Sequence, residues 1–343
     1  MTFLEHNDLV LFFAQIAILL LFAKVFGEVA RRLKLPSVIG EILAGIFLGP
    51  TLLGSFFPEF YNHIFLSSES AAIAVHGLAT IGVVLLLFVV GSELELSHLL
   101  KEGKNATVIS LSGVIFPFIL GFASGWLLFE LLTNSPEEHR LVFSLFLGTA
   151  LSISALPVIA KTLIDLNLIK HRIGRLILIS AMIDDLIGWI LFSIILGIIA
   201  KETAPIGIGW TIAAIIFFVI FSLTFGKMIF QKTFKLIHER LHIPGGIISF
   251  SLIACFAAAM FTEYIGTHAV FGAFIFGIAI GNTVYFTEQH KEMLNQFVTN
   301  IFTPLFFVTI GLKINFIENF EIVIVLVVLI ISFRSEEHTS ELQ

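Results

Sequence analysis

Residues 172–200 read RIGRLILISAMIDDLIGWILFSIILGIIA. A nearly unbroken apolar run of this length reads as a membrane-spanning helix, because a hydrocarbon core of about 30 Å needs roughly 20 apolar residues. Two adjacent carboxylates, Asp184 and Asp185, interrupt it. Asp184 stands twelve residues after Arg172, roughly 18 Å at ~1.5 Å per residue and slightly past the middle of the core. Each carboxylate at that depth costs about 2.5–3.5 kcal/mol on insertion scales. Neighbours on a helix point apart, so the two side chains do not face each other. Asp185 shares a stripe with Ala181 and Gly188, and Asp184 shares one with Ser180 and Gly188. Small residues there leave room for a partner helix, water or an ion. Two anions crowded in apolar surroundings repel, which favours retaining a proton between them. A monovalent cation would compete with that proton for the same oxygens. The alternative is a structural pair satisfied by buried hydrogen bonds.

The whole chain has the same character. It is 57% hydrophobic and only 13% charged, with a mean hydropathy of +1.03, against about 25% charged residues in globular domains. Soluble classes are excluded. The single cysteine, Cys255, excludes an intrachain disulfide and reads as a small buried apolar residue. The first apolar segment is too long for a leader core and has no basic start, so it reads as a retained helix. Apolar segments run over about 8–30, 36–54, 71–95, 105–132, 140–166, 172–200, 208–230, 246–265, 268–283, 297–313 and 321–333. The expectation is an all-α polytopic membrane protein with about ten complete transmembrane helices and a truncated eleventh.

Lys and Arg alternate between the connections. Arg31, Arg32, Lys34, Lys101, Lys104, Lys161, Lys170, Arg172, Arg175, Lys227, Lys232, Lys235, Arg240 and Lys291 fall on one side, and Arg140, Lys201 and Lys313 on the other. The excess of positive charge marks the cytoplasmic side, which places the N-terminus outside.

Two further patterns bear on mechanism. LLLFVVGSELEL (85–96) and PLFFVTIGLKINF (304–316) share an apolar–Phe–Gly ending seven helices apart. An odd offset means opposite orientation, the pattern of an inverted-topology repeat, with chance likeness between Leu/Phe-rich segments as the rival reading. GTALSISALPVIAKTL (148–163) places Thr149, Ser152 and Ser154 ahead of Pro157. Proline removes one backbone donor and frees a carbonyl one turn earlier, near Ile153. Freed carbonyls and hydroxyls at membrane depth are hard-cation ligands, and interrupted helices recur at transporter sites. A simple proline kink, with the hydroxyls bonded back to their own helix, is the alternative. Gly45/Gly49, Gly121/Gly125 and Gly277/Gly281 have the GxxxG spacing of close helix contacts.

These segments resemble a known family. LPSVIGEILAGIFLGPTLLG (35–54), LLLFVVGSELELS (85–97), TALSISALPVIAKTLIDLNLI (149–169), SAMIDDLIGWILFSIILG (180–197), GTHAVFGAFIFGIAIGN (266–282) and PLFFVTIGLKI (304–314) are similar, in order, to the motifs of the monovalent cation:proton antiporter-2 group, which includes Kef-type and CHX-type exchangers. The resemblance implies the thirteen-helix form of the NhaA-like fold, with inverted repeats and a discontinuous helix. It implies scaffold and dimer helices over about 8–54 and 246–313, core helices over about 71–200 and a linker helix over 208–230. Asp185 would carry cation and proton, with Asp184 as second carboxylate, paired in the family with a lysine on a later helix. Two aspartates go with electrogenic exchange. The implied partners are Na⁺ or K⁺, H⁺, the lipid bilayer of a bacterial inner membrane and a second copy of the chain. No cofactor, resident metal, nucleic acid or enzymatic activity is implied.

Other ionisable residues stay open to two readings. His268 is a pH-sensing candidate or an interfacial histidine. Glu41 is either a funnel or interface residue or a carboxylate reaching the cytoplasmic surface. Lys161 is either a headgroup anchor or a complement to the carbonyls of the broken helix. Glu93 and Glu95 are expected at headgroups. The last ten residues, RSEEHTSELQ (334–343), are polar where a helix should continue, and they match the translation of a common sequencing-library adapter. They read as a non-native tail after a partial transmembrane domain over 1–333, so the chain as given is expected to be an inactive fragment. Competing functions are a ligand-gated Kef-like potassium efflux pathway and a transporter-fold sensor. Intramembrane proteolysis needs two converging carboxylates, and adjacent ones diverge.

Overall fold

The computed structural model describes residues 5–94, 96–133, 136–200, 208–237, 245–281, 283–317 and 325. Helix α1 (His6–Arg32) stops where Lys34 takes a left-handed φ of 61°, and Pro36 then caps α2 (Ser37–Leu48). Short turns lead to α3 (Glu69–Ser92), whose first turn is closed by the Ala71 N–H donating to Ser68 Oγ over 3.0 Å. Next come α4 (Leu96–Leu127), α5 (Arg140–Ser152), α6 (Leu156–Asp165) and α7 (Arg172–Ala200). Helix α8 (Ile208–Phe221) passes through a wide turn at Ser222–Gly226 into α9 (Lys227–Leu236). The chain ends its described course with α10 (Gly246–Tyr264), α11 (Ala269–Gly281), α12 (Glu288–Phe297) and α13 (Thr303–Leu312). The turn between α10 and α11 uses Gly266 at φ 85°, a conformation that side chains resist.

Among the described residues, seven helical stretches are long and apolar enough to cross a membrane, Arg140–Asp165 and Glu288–Leu312 included. Large apolar side chains such as Phe13, Leu127 and Ile253 lie on the outside, as expected where the surrounding solvent is hydrocarbon. The expected discontinuous helix is present: α5 and α6 are separated by extended backbone at Ile153 and Ala155. One boundary differs from the hydropathy reading. The segment expected at 297–313 begins at Glu288, capped by Thr287 and His290. Its first turns are polar, and a search for apolar runs does not see a helix that continues beyond hydrocarbon. The eleventh segment (apart from Val325), the tail 334–343, Glu95, Lys201 and Arg240 lie outside the described residues.

Helices α1, α2 and α13 pack together, α4 packs against α5 and α7, and α3 runs between α11 and α13. All three GxxxG pairs are consumed by contacts within the chain. A Cβ on Gly45 would stand 2.7 Å from the Gly311 Cα, and one on Gly121 would stand 2.8 Å from the Gly148 Cα. One on Gly277 would stand 3.1 Å from the Gly91 Cα.

Contacts between helix ends define two rims. On the first, Ser68 Oγ donates to Asp8 over 2.6 Å and Thr51 Oγ1 to the Ile314 carbonyl over 2.8 Å. On the second, Ser37 meets Asp165, and Lys170 lies 3.3 Å from Glu93 and 3.1 Å from Glu288. Glu93 therefore turns to Lys170 rather than to headgroups, with its side chain only 13% exposed. The second rim joins the ends that the charge pattern assigns to one side.

Candidate cation and proton site

The break in α5–α6 brings two helix ends of opposite polarity together. Helix α5 ends in carbonyls without intrahelical partners, the negative end of its dipole, and α6 begins with unpaired N–H groups, the positive end. The Leu156 N–H, at the start of α6, faces the Asp185 carboxylate. Pro157 sits at the second helical position, where its missing N–H removes nothing from α6. Gly188, one turn beyond Asp185, makes this approach feasible: an added Cβ would collide with the Ile153 side chain.

Asp185 faces a cavity of about 440 Å³, lined also by Thr149, Ile153, Pro157, Gly188 and His268, and by the rings of Phe146, Phe192, Phe271 and Phe306. The cavity lies toward the first rim. Gly281 packs on Ser92, at the second rim, and His268 is thirteen residues back along α11, roughly 20 Å away at ~1.5 Å per residue.

Asp184 points elsewhere. It accepts from Ser110 Oγ of α4 at 2.5 Å, while the adjacent Ser180 Oγ donates to the Ala106 carbonyl at 3.2 Å. Both carboxylates thus have distinct surroundings, as their divergence on the helix requires. Among the sequence candidates, the structure brings together Asp185, Thr149, Ile153, Pro157 and His268. Thr149 Oγ1 donates back to the Leu145 carbonyl, leaving its lone pairs for the cavity. Ser152 is buried and donates to the Thr149 carbonyl, and Ser154 is exposed; neither lines the cavity. Ser110 was not singled out in the sequence, although a serine in a mid-membrane stretch is itself a polar signal. The Leu156 N–H has no side-chain signal at all.

Glu41 and Lys161 form a second cluster beside α6. Lys161 Nζ lies 3.1 Å from Asp165 and 4.0 Å from Glu41. Ser37 donates to Asp165 through its N–H at 2.9 Å and its Oγ at 2.6 Å, and Oγ is 3.2 Å from Glu41. Glu41 is 4% and Lys161 6% exposed, so neither reaches headgroups as a surface carboxylate or anchor would. Removing one partner of such a buried pair costs about 3–5 kcal/mol. The exposed Lys170 pairs belong to a class worth about 0.2–1 kcal/mol.

A family model described as sodium/hydrogen exchanger, transmembrane, matches residues 17–335. Cation/H(+) antiporter 17 of Arabidopsis thaliana is 34% identical over 91% of this chain, and NhaS4, a Na(+)/H(+) antiporter of Synechocystis, is 31% identical over 90%. The chain spans 37% of the length of the first of these relatives and 75% of the second. The sodium proton antiporter MjNhaP1 from Methanocaldococcus jannaschii has a similar fold, with a TM-score of 0.56 over 95% of this chain and 76% of that one, at 15% identity.

Proposed function

The chain belongs to the sodium/hydrogen exchanger family and is a multi-pass membrane protein, and from that premise we propose that it exchanges a monovalent cation, Na⁺ or K⁺, for protons by alternating access. The observation that carries this reading is the position of Asp185. One carboxylate both lines the cavity and faces the start of α6, at the break in the helix. It can hold a proton or a dehydrated cation, but the low-dielectric surroundings disfavour leaving it bare. A cation there gains the α5 carbonyl end and Thr149 Oγ1 as further oxygen ligands. When it leaves, a proton takes its place on the carboxylate.

Asp184 assists by keeping a second negative charge near the site. Ser110 orients it. In this reading α1, α2 and α10–α13 form the scaffold, α3–α7 the core and α8 the linker, with α3 along the seam. The protein resides in a bacterial plasma membrane as a homodimer, with the first rim outside. The lysine and arginine pattern supports that orientation.

The test is proteoliposome exchange by the full-length protein, read as collapse of an imposed ΔpH on adding Na⁺ or K⁺. Cation flux without proton movement would favour an efflux pathway instead. Ser110→Ala is expected to weaken exchange about tenfold while the fold persists, since a hydrogen bond to a charged group contributes about 1.5–3 kcal/mol. Unchanged exchange in that variant would remove Ser110 from the site. Asp184→Asn is expected to retain exchange while lowering the charge moved per cycle, measured as current in solid-supported membranes. An unaltered current-to-flux ratio would contradict the role given to Asp184.

A further inference from the structure

Helix α6 meets a different helix at each end. Its first N–H faces Asp185. Near its other end, Lys161 and Asp165 meet Ser37 and Glu41 of α2. The rod between them is ten residues long, about 15 Å at 1.5 Å per residue, and too short to bend without breaking hydrogen bonds. Where α2 holds the far end therefore decides where the Asp185 anchor stands. The two features also lie on opposite sides of the break. The 440 Å³ cavity lies on the first-rim side of the break, and the Ser37–Glu41–Lys161–Asp165 cluster lies on the second-rim side.

We propose that Lys161 and Asp165, with Ser37 and Glu41, are positioning residues that lock α6 against α2, closing the second-rim side while Asp185 is exposed to the first. The inference rests on exchange at Asp185. Three observations support a contact made to be broken. Its members come from different helices. It borders a partly open polar pocket of about 160 Å³, also lined by Lys24, Arg31 and Asn300. Finally, the buried Glu41 Oε2 has no hydrogen-bond partner among the described residues. A purely structural ion pair saturates its acceptors, because an unsatisfied one is a standing penalty. A cluster that forms in one state and hydrates in the other tolerates it. Lys24 Nζ donates to Asn300 over 3.1 Å on the same face, so water admitted there would meet charge rather than hydrocarbon.

The test combines labelling and transport in a Cys255→Ala background with Ile164→Cys, a position lining the polar space. A membrane-impermeant maleimide is applied from the second-rim side. Labelling should be slow in the parent and at least about tenfold faster in Lys161→Gln, which leaves Glu41 and Asp165 without their cation, and in Asp165→Asn, which removes the closer ion pair and leaves Lys161 only Glu41 at 4.0 Å. Lys161→Arg should label like the parent. If Lys161→Gln does not fold, Asp165→Asn answers the same question. Transport adds a readout that general damage would not produce. Shifting the population toward the other state should lower the cation KM from the second-rim side and raise it from the first, each about threefold or more. Unchanged labelling in both variants, or KM shifts in the same direction on both sides, would overturn the lock. Labelling requires no exchange, so a protein that labels as expected without moving cations would overturn the exchange reading and leave the lock standing.

Discussion

Asp185→Asn is expected to abolish cation-dependent proton exchange in reconstituted vesicles while leaving the protein folded. Asparagine is nearly isosteric, and its carbonyl can still face the Leu156 N–H at the start of α6. It carries neither a titratable proton nor a charge. Removing a group that transfers a proton reduces rates by about 10²–10⁴, which places this variant at the background of empty vesicles. Stability should not fall, because a neutral amide is cheaper to bury than a carboxylate. Thermal unfolding in detergent separates the two effects. A well-folded Asp185→Asn protein with parental exchange would remove Asp185 as carrier.

The second large effect is structural. Gly45 and Gly311 face each other where α2 crosses α13: a Cβ on Gly45 would stand 2.7 Å from the Gly311 Cα, and one on Gly311 would stand 2.9 Å from the Gly45 Cα. The obstacle is backbone, so no side-chain rotation relieves it. Gly45→Leu and Gly311→Leu should each separate the helices and cost at least about 3 kcal/mol, the upper end for overpacking. The expected result is aggregation on extraction or a markedly lowered Tm, where Gly113→Leu, with open space around it, leaves both unchanged. A monodisperse Gly45→Leu protein would show that α2 and α13 do not meet as described. The same contact explains why a GxxxG pair is a poor guide to dimer faces. Small residues permit close approach to whichever helix is adjacent, here another part of the same chain.

Much of the site was legible because its parts are local. Asp184 and Asp185 announce themselves as charges at membrane depth. Pro157 marks the break because proline cannot donate within a helix. The direction of each side chain was less legible. Thr149, Ser152 and Ser154 lie within six residues, yet only Thr149 lines the cavity, because α5 ends at Ser152 and the following backbone is extended. Lys161 read as a headgroup anchor or a complement to the carbonyls of the broken helix, and neither reading pointed to Glu41, because burial by another helix leaves no mark on its own sequence.

The sequence by itself determined that the chain crosses a membrane repeatedly, where one span is interrupted and which helix carries the paired carboxylates. Hydrocarbon cannot hydrogen-bond a peptide group, so each span must satisfy its own backbone and writes that requirement into a contiguous stretch. Only the tertiary structure decided which distant groups meet: Ser110 with Asp184 across 74 positions, Glu41 with Lys161, and His268 with the Asp185 cavity. Such pairings depend on how each helix is rotated and how far it slides against its neighbours. Packing of the whole bundle sets both quantities, and no single stretch contains them.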